Sequence, residues 1–100
     1  MKKDRLVILG GGESGVGTAI LGKQKGFEVF VSDFGKIKEA YKQVLIQHGI
    51  DWEEGGHTES ELRNANVVMK SPGIPETAPI VKKLLDAKIP VISEMEFAAQ

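Results

Sequence analysis

The chain contains no cysteine, one tryptophan and one tyrosine in 100 residues. Without cysteine it can form neither a disulfide nor a thiolate metal site, and a reducing cytoplasmic setting is expected. An excess of one charge is also missing, because 13 Lys and Arg face 14 Asp and Glu, for a formal net charge of −1. A general grip on DNA, RNA or an anionic membrane needs a basic surplus. Neither nucleic acid nor membrane is therefore expected as a partner. Any anion has to be held locally, by backbone amides or by one or two cations.

Long apolar runs are lacking as well. Leu6-Val7-Ile8-Leu9 stops at Gly10 and is too short for a signal-peptide core or a membrane span. No G-x-x-x-x-G-K-[ST] loop occurs, and no nucleophile and base stand in a credible pairing. His48 and His57 lack a clustered acidic partner, so no metal site is expected. His48 reads as a helix-end residue and His57 as a turn residue near a helix start. Trp52 reads as packing over a helix, and Lys82, Lys83 and Lys88 as a solvated face.

What is present is a regular alternation. Apolar runs at 6–9, 27–32, 66–69 and 89–92, with a weaker one at 50–53, read as strands covered on both faces, since they do not alternate with polar residues. Helical spacing follows the glycines from Val16 to Lys23. It recurs from Ile37 to His48, where Gly49 is a plausible C-terminal cap, and from Thr77 to Ala87, with Pro79 in the first turn. Thr58-Glu59-Ser60-Glu61 and Ser93-Glu94-Met95-Glu96 both fit capping boxes. Five strand–helix repeats imply an α/β, Rossmann-like three-layer domain. Its five-stranded parallel sheet is expected in the order 3-2-1-4-5. Residues 1–93 are expected to form this domain, with 94–100 starting a helix or linker that leads onward.

Three segments carry candidate chemistry. Gly10-Gly11-Gly12-Glu13-Ser14-Gly15 places G-x-G-x-x-G between a strand and a helix, the context that pattern requires. Gly10 permits the turn, Gly12 lets a phosphate approach the backbone, and Gly15 lets the helix lie close to the strand. The amides of Gly12, Glu13 and Ser14 then face an anion at the positive end of the helix dipole. The Glu13 side chain is expected to swing to solvent, and Ser14 can add a hydroxyl. Asp33 ends the second strand, where a carboxylate commonly accepts hydrogen bonds from a ribose or base, or else caps a helix beginning near Lys36. Phe34 could pack on a base, and Lys36 could neutralise charge. Lys70-Ser71-Pro72-Gly73-Ile74-Pro75 follows the fourth strand. In a 3-2-1-4-5 sheet it faces the glycine loop across the switch point, offering the Ser71 hydroxyl and the Gly73 amide on a loop stiffened by proline.

With these segments in view, the chain resembles the amino-terminal domain of the Mur ligase family, bacterial enzymes of peptidoglycan synthesis. The resemblance covers essentially the whole chain. Its strongest element is Val68-Met69-Lys70-Ser71-Pro72-Gly73-Ile74-Pro75, followed by Ile89 to Phe97. The Ser-Pro-Gly-Ile-Pro turn is similar to that of the D-glutamate-adding members. The resemblance implies that this domain holds the UDP end of UDP-MurNAc-L-alanine. Gly12, Glu13, Ser14 and Gly15 would lie at the diphosphate, Asp33, Phe34 and Lys36 at the uracil, and Ser71 and Gly73 at the closing side. Where the family often carries Asp-Ser/Thr-Arg, this chain reads Asp33-Phe34-Gly35-Lys36.

The resemblance also implies ATP-dependent amide-bond formation by the full-length enzyme. ATP and Mg2+ would be held by central and C-terminal domains beyond Gln100, and these 100 residues would hold no cofactor and catalyse nothing alone. Two other readings stay open. One is an NAD(P)-binding domain of an oxidoreductase with Asp33 on the adenosine ribose. The other is a regulatory module that has kept the fold without the nucleotide.

Overall fold

The computed structural model describes residues 3–99. Within them the chain alternates β1 (Arg5–Leu9), α1 (Glu13–Gln24), β2 (Glu28–Ser32), α2 (Glu39–Gln47), β3 (Asp51–Glu53), α3 (Glu59–Leu62), β4 (Val67–Lys70), α4 (Pro79–Asp86), β5 (Val91–Ile92) and α5 (Glu94–Ala98). The five strands form one sheet in the order β3-β2-β1-β4-β5, and all pairs are parallel. This is the expected architecture. No described helix is long and apolar enough to cross a membrane.

Each central strand is apolar on both faces, which is why its sequence shows no polar alternation. Leu6 and Ile8 of β1 point with Val29, Val31 and Met69 toward Val16 and Ala19 of α1, Leu45 of α2 and Phe97 of α5. Val7 and Leu9 point the other way, with Phe30 and Val68, toward Leu62 of α3 and Val81 and Leu84 of α4. Full burial of such a side chain contributes about 1.5–3 kcal/mol. Together the two clusters clamp the carboxyl ends of β1, β2 and β4 in fixed register.

Local chemistry explains most helix ends. Pro79 opens α4, where its missing N–H costs nothing. Gly49 follows α2 with φ +67, the left-handed C-terminal stop that glycine suits. Ser93 caps α5 in a complete capping box with Glu96. The last expected helix is thus seen from Glu94, while Gln100, like Met1 and Lys2, lies outside the described residues. Phe97 is fully buried and its ring stands 5.6 Å from that of Phe27, so α5 packs into the same core as α1.

Two helix starts differ from expectation. The second helix begins at Glu39, with Lys38 as its cap, rather than near Lys36. Ile37 is buried ahead of it instead of lying on its stripe. At α3, Thr58 makes no side-chain cap bond. Its hydroxyl donates to Glu53 Oε1 at 2.6 Å, because that carboxylate competes successfully for it.

Candidate functional site

The site lies beyond the carboxyl ends of β1, β2 and β4, where the winding direction reverses. Its first wall is the glycine loop. The Gly10 amide donates to the Ser32 carbonyl at 2.9 Å, extending the β1–β2 ladder by one bond before the chain turns. Gly10 has φ +102, a conformation that side-chain-bearing residues rarely adopt. A Cβ on Gly15 would sit 1.8 Å from the Gly10 carbonyl oxygen, so only glycine lets α1 start this close to β1. A Cβ on Gly12 would meet nothing within 4 Å. Gly12 is exposed and open to an incoming group.

The first α-helical hydrogen bond runs from the Val16 amide to the Gly12 carbonyl, and no side chain caps α1. The amides of Glu13, Ser14 and Gly15 therefore point outward without helical acceptors, at the positive end of the dipole. The Glu13 side chain is exposed, as expected. The Ser14 hydroxyl is engaged: it hydrogen-bonds Glu94 of α5, and the Ser14 carbonyl accepts from Thr18 Oγ1.

The second wall is the turn after β4. The Ser71 amide donates to the Leu9 carbonyl at 3.1 Å, and Lys70 Nζ donates to the Ile74 carbonyl at 2.6 Å, pinning the turn to the strand. A Cβ built on Gly10 would lie 2.7 Å from Ser71 Oγ and 3.5 Å from Ile74 Cδ1, so the two turns touch. Ser71 Oγ is buried and has no hydrogen-bond partner among the described residues. A buried hydroxyl left unpaired is costly, and here it stands where the two loops meet. Gly73 is exposed at the tip of the same turn.

The third wall comes from β2 and β3. Asp33 does not cap a helix. Its Oδ2 accepts from the Gly11 amide and its Oδ1 from the Gly35 amide, both at 2.8 Å, so it ties the end of β2 to the glycine loop. Phe34 is 77% exposed and Lys36 is exposed; neither is held by the core. Glu54 fixes the segment from behind by accepting from the Ile37 amide and Lys42 Nζ, both at 2.8 Å. The Lys42 hydrogen bond, with the Ile37 amide, holds the Glu54 carboxyl below its ordinary value. Lys42 also lies over the ring of Trp52, 5.3 Å from its centroid, so Trp52 does pack beneath a helix.

Sequence reasoning missed a polar network under this wall. Ser32, fully buried at the end of β2, donates to Glu53 Oε2 at 2.7 Å and meets His57 Nδ1 at 2.7 Å. Glu53 also accepts from the amide and hydroxyl of Thr58. Burial opposes the charge on Glu53, but the Thr58 and Ser32 hydrogen bonds and the nearby His57 together hold its pKa below the usual glutamate value. Burial pushes His57 below 6.5 despite the opposing pull of Glu53 and Asp33. His57 is thus a half-buried member of the site, and not merely a turn residue. The only sequence signal was a polar serine closing an apolar strand, with a histidine following Gly55-Gly56.

The contacts join Gly10 to Ser71 and to Gly15, and Gly11 to Asp33; Gly12, Glu13, Phe34, Lys36 and Gly73 are exposed, while the Ser14 hydroxyl turns away to Glu94 of α5. Proteins of known sequence share this chain's pattern closely. It is 59% identical over 95 residues to a UDP-N-acetylmuramoylalanine--D-glutamate ligase of Christiangramia forsetii, covering 95% of this chain and 21% of that protein. It is 58% identical over 96 residues to the protein of the same name from Bacteroides thetaiotaomicron, covering 96% of this chain and 22% of that one. The chain thus spans about a fifth of the length of the curated relatives it matches.

Among solved structures, a pseudomurein peptide ligase type C from Methanothermus fervidus superposes with a TM-score of 0.84 over 98% of this chain and 20% of that one. At 24% identity it shows the fold alone. A UDP-N-acetylmuramate:L-alanyl-gamma-D-glutamyl-meso-diaminopimelate ligase from Neisseria meningitides follows at TM-score 0.78 and 27% identity, covering 93% of this chain and 29% of that one. The MurD N-terminal domain family matches residues 5–80, which carry all three walls of the crevice, and the chain belongs to that family.

Proposed function

We propose that this domain holds the UDP end of UDP-MurNAc-L-alanine for an ATP-dependent ligase that adds D-glutamate during peptidoglycan synthesis. The amides of Gly12, Glu13 and Ser14, with the close-packed start of α1 at Gly15, hold the diphosphate. The Ser71 hydroxyl and the Gly73 amide close over it from the second wall. Asp33, Phe34 and Lys36 flank the uracil. The observation that carries this reading is Ser71 Oγ, buried and unpartnered against Gly10. A phosphate oxygen arriving there accepts its hydrogen and removes an unmet polar group.

The charge arrangement supports the same assignment. A carboxylate about 6 Å from a phosphate charge costs about 3 kcal/mol at an effective dielectric near 20, and the exposed Glu13 side chain is free to stay away. Activation of the precursor carboxylate as an acyl phosphate, and attack on it by the amine of D-glutamate, need ATP and Mg2+. The sequence has no Gly-Lys-Thr phosphate loop. The described residues contain no cluster of three carboxylate, imidazole or thiol side chains that could hold a cation. Those tasks belong to other parts of the ligase, and this domain alone binds without catalysing. The cysteine-free composition supports a cytoplasmic setting.

Amide NMR with UDP-MurNAc-L-alanine, UDP and NAD tests the reading. Shifts at Gly12, Ser14 and Gly73 with both UDP compounds, and none with NAD, are expected. Shifts with NAD alone would overturn it in favour of a dinucleotide domain.

A further inference from the structure

Beside the crevice lies a cleft of about 440 Å³, lined chiefly by Phe34, His57, Ile74, Ala78, Pro79 and Ile80. Its size and mostly apolar walls with few polar groups suit a small aromatic ligand. It is continuous with the two turns, because Ile74 also lies against Gly10. The Phe34 and His57 rings stand 5.9 Å apart and tilted by 42°, which gives the cleft an aromatic side.

The hydrogen bonds of His57 fix its chemistry. A serine hydroxyl carries one hydrogen, and Ser32 gives it to the Glu53 carboxylate. The oxygen of Ser32 can then only accept from His57 Nδ1, 2.7 Å away. The proton of a neutral His57 is therefore on Nδ1, and Nε2 is left as an acceptor. Among the described residues Nε2 has no hydrogen-bond partner.

We infer that His57, held in its Nδ1–H form by Ser32 and Glu53, selects the nucleotide base by accepting an imide N–H at Nε2 while Phe34 covers the ring. This rests on the UDP reading above and adds a residue to it. The imide N–H of uracil is a donor that cytosine lacks at the same ring position. Phe34-Gly35-Lys36 supplies no side-chain acceptor for it, and each Asp33 oxygen has one of its two lone pairs committed to a backbone amide. Protonation of His57 turns Nε2 into a donor and reverses the selection. The charged groups around the ring are Glu53 of β3, Asp33 after β2, Glu59 of α3 and Lys83 of α4. Burial, which favours the neutral ring, keeps the acceptor form at neutral pH.

The test compares UDP, CDP, N3-methyl-UDP and inorganic pyrophosphate on the wild-type chain and on His57→Phe, with His57 ring nitrogens followed by NMR. UDP is expected to bind about tenfold tighter than CDP or N3-methyl-UDP, the worth of one good hydrogen bond. That margin should vanish in His57→Phe and, for the wild type, as pH falls through the titration of His57. Pyrophosphate binding should not follow either change. In the wild type, Nε2 should move on UDP binding while Nδ1 stays protonated, a readout that survives if the variant fails to fold. Equal affinities for the three nucleotides, or an Nε2 signal unmoved by bound UDP, overturn the inference and leave the UDP reading standing. If UDP fails to move the Gly12 and Ser71 amides, both fall.

Discussion

On the β1 and β4 side of the crevice, backbone builds the site; on the β2 and β3 side, side chains do. The glycine loop presents amides because Gly10, Gly12 and Gly15 have no Cβ to obstruct the turn, the ligand or the packing of α1. Ser71 adds a hydroxyl there that is left unpaired, whereas that of Ser14 is bonded to Glu94. Across the crevice, Ser32, Glu53, Thr58 and His57 satisfy one another in a chain of hydrogen bonds, and the Asp33 carboxylate accepts from the Gly11 and Gly35 amides. The first side awaits a partner for its donors, while the second has most of its partners already and keeps one acceptor over. A backbone wall suits a diphosphate, which every nucleotide carries. A side-chain wall suits the base, which differs among them.

The sharpest way to break the comparison is at two glycines of the same loop. Gly15→Ala forces a methyl group into the Gly10 carbonyl and should lower stability by about 3 kcal/mol, the upper range for overpacking, read from the urea midpoint. Gly12→Ala meets open space and should cost about 1 kcal/mol or less, yet weaken UDP binding in calorimetry about tenfold. Equal losses of stability in both would show that Gly12 serves the fold and not a ligand.

The side-chain wall should yield next. Ser32→Ala removes the hydrogen bond donated to Glu53 and the acceptor of His57, and should cost about 2 kcal/mol at pH 7. Acid should probe the same network. The folded pKa of His57 is depressed, so folding keeps it neutral, and stability falls as pH drops from about 6.5 through the folded value. Glu53 is also depressed. Its contribution is present above the unfolded carboxylate pKa and is lost as pH falls through the lower, folded one. Denaturant midpoints from pH 7 to 3 should therefore decline in the wild type and decline less in Ser32→Ala. Parallel curves would mean that the network does not couple to folding.

The two walls also differed in how readily the sequence disclosed them. Gly10 to Gly15 and Ser71 to Pro75 are contiguous segments, and each glycine or proline has a steric meaning that survives without coordinates. The alternation of elements implied a parallel sheet, and the strand order expected for a doubly wound fold put the two segments opposite each other. The other wall draws on β2, β3 and the loop beyond, from Ser32 to Thr58. No local pattern announces that Ser32 and His57 will meet, and Thr58 read as a helix cap because its competing partner, Glu53, becomes adjacent only through the turn after β3. Asp33 follows β2 as the apolar run implied, but its bond to Gly11 depends on the β1–β2 register. Ile37 shows the same limit: it fits the apolar spacing of α2, yet tertiary packing beneath Gly11 takes it out of the helix.

The central claim is that Ser71 is unpaired because its partner is a phosphate. The UDP-induced shift in the urea midpoint, measured for the wild type and for Ser71→Ala, addresses it directly. Removing an unsatisfied buried hydroxyl should leave the ligand-free midpoint unchanged or slightly raised, while most of the UDP-induced shift disappears. A variant that is less stable without ligand by about 1 kcal/mol, the worth of an ordinary hydrogen bond, and that keeps its full response to UDP, would contradict the account.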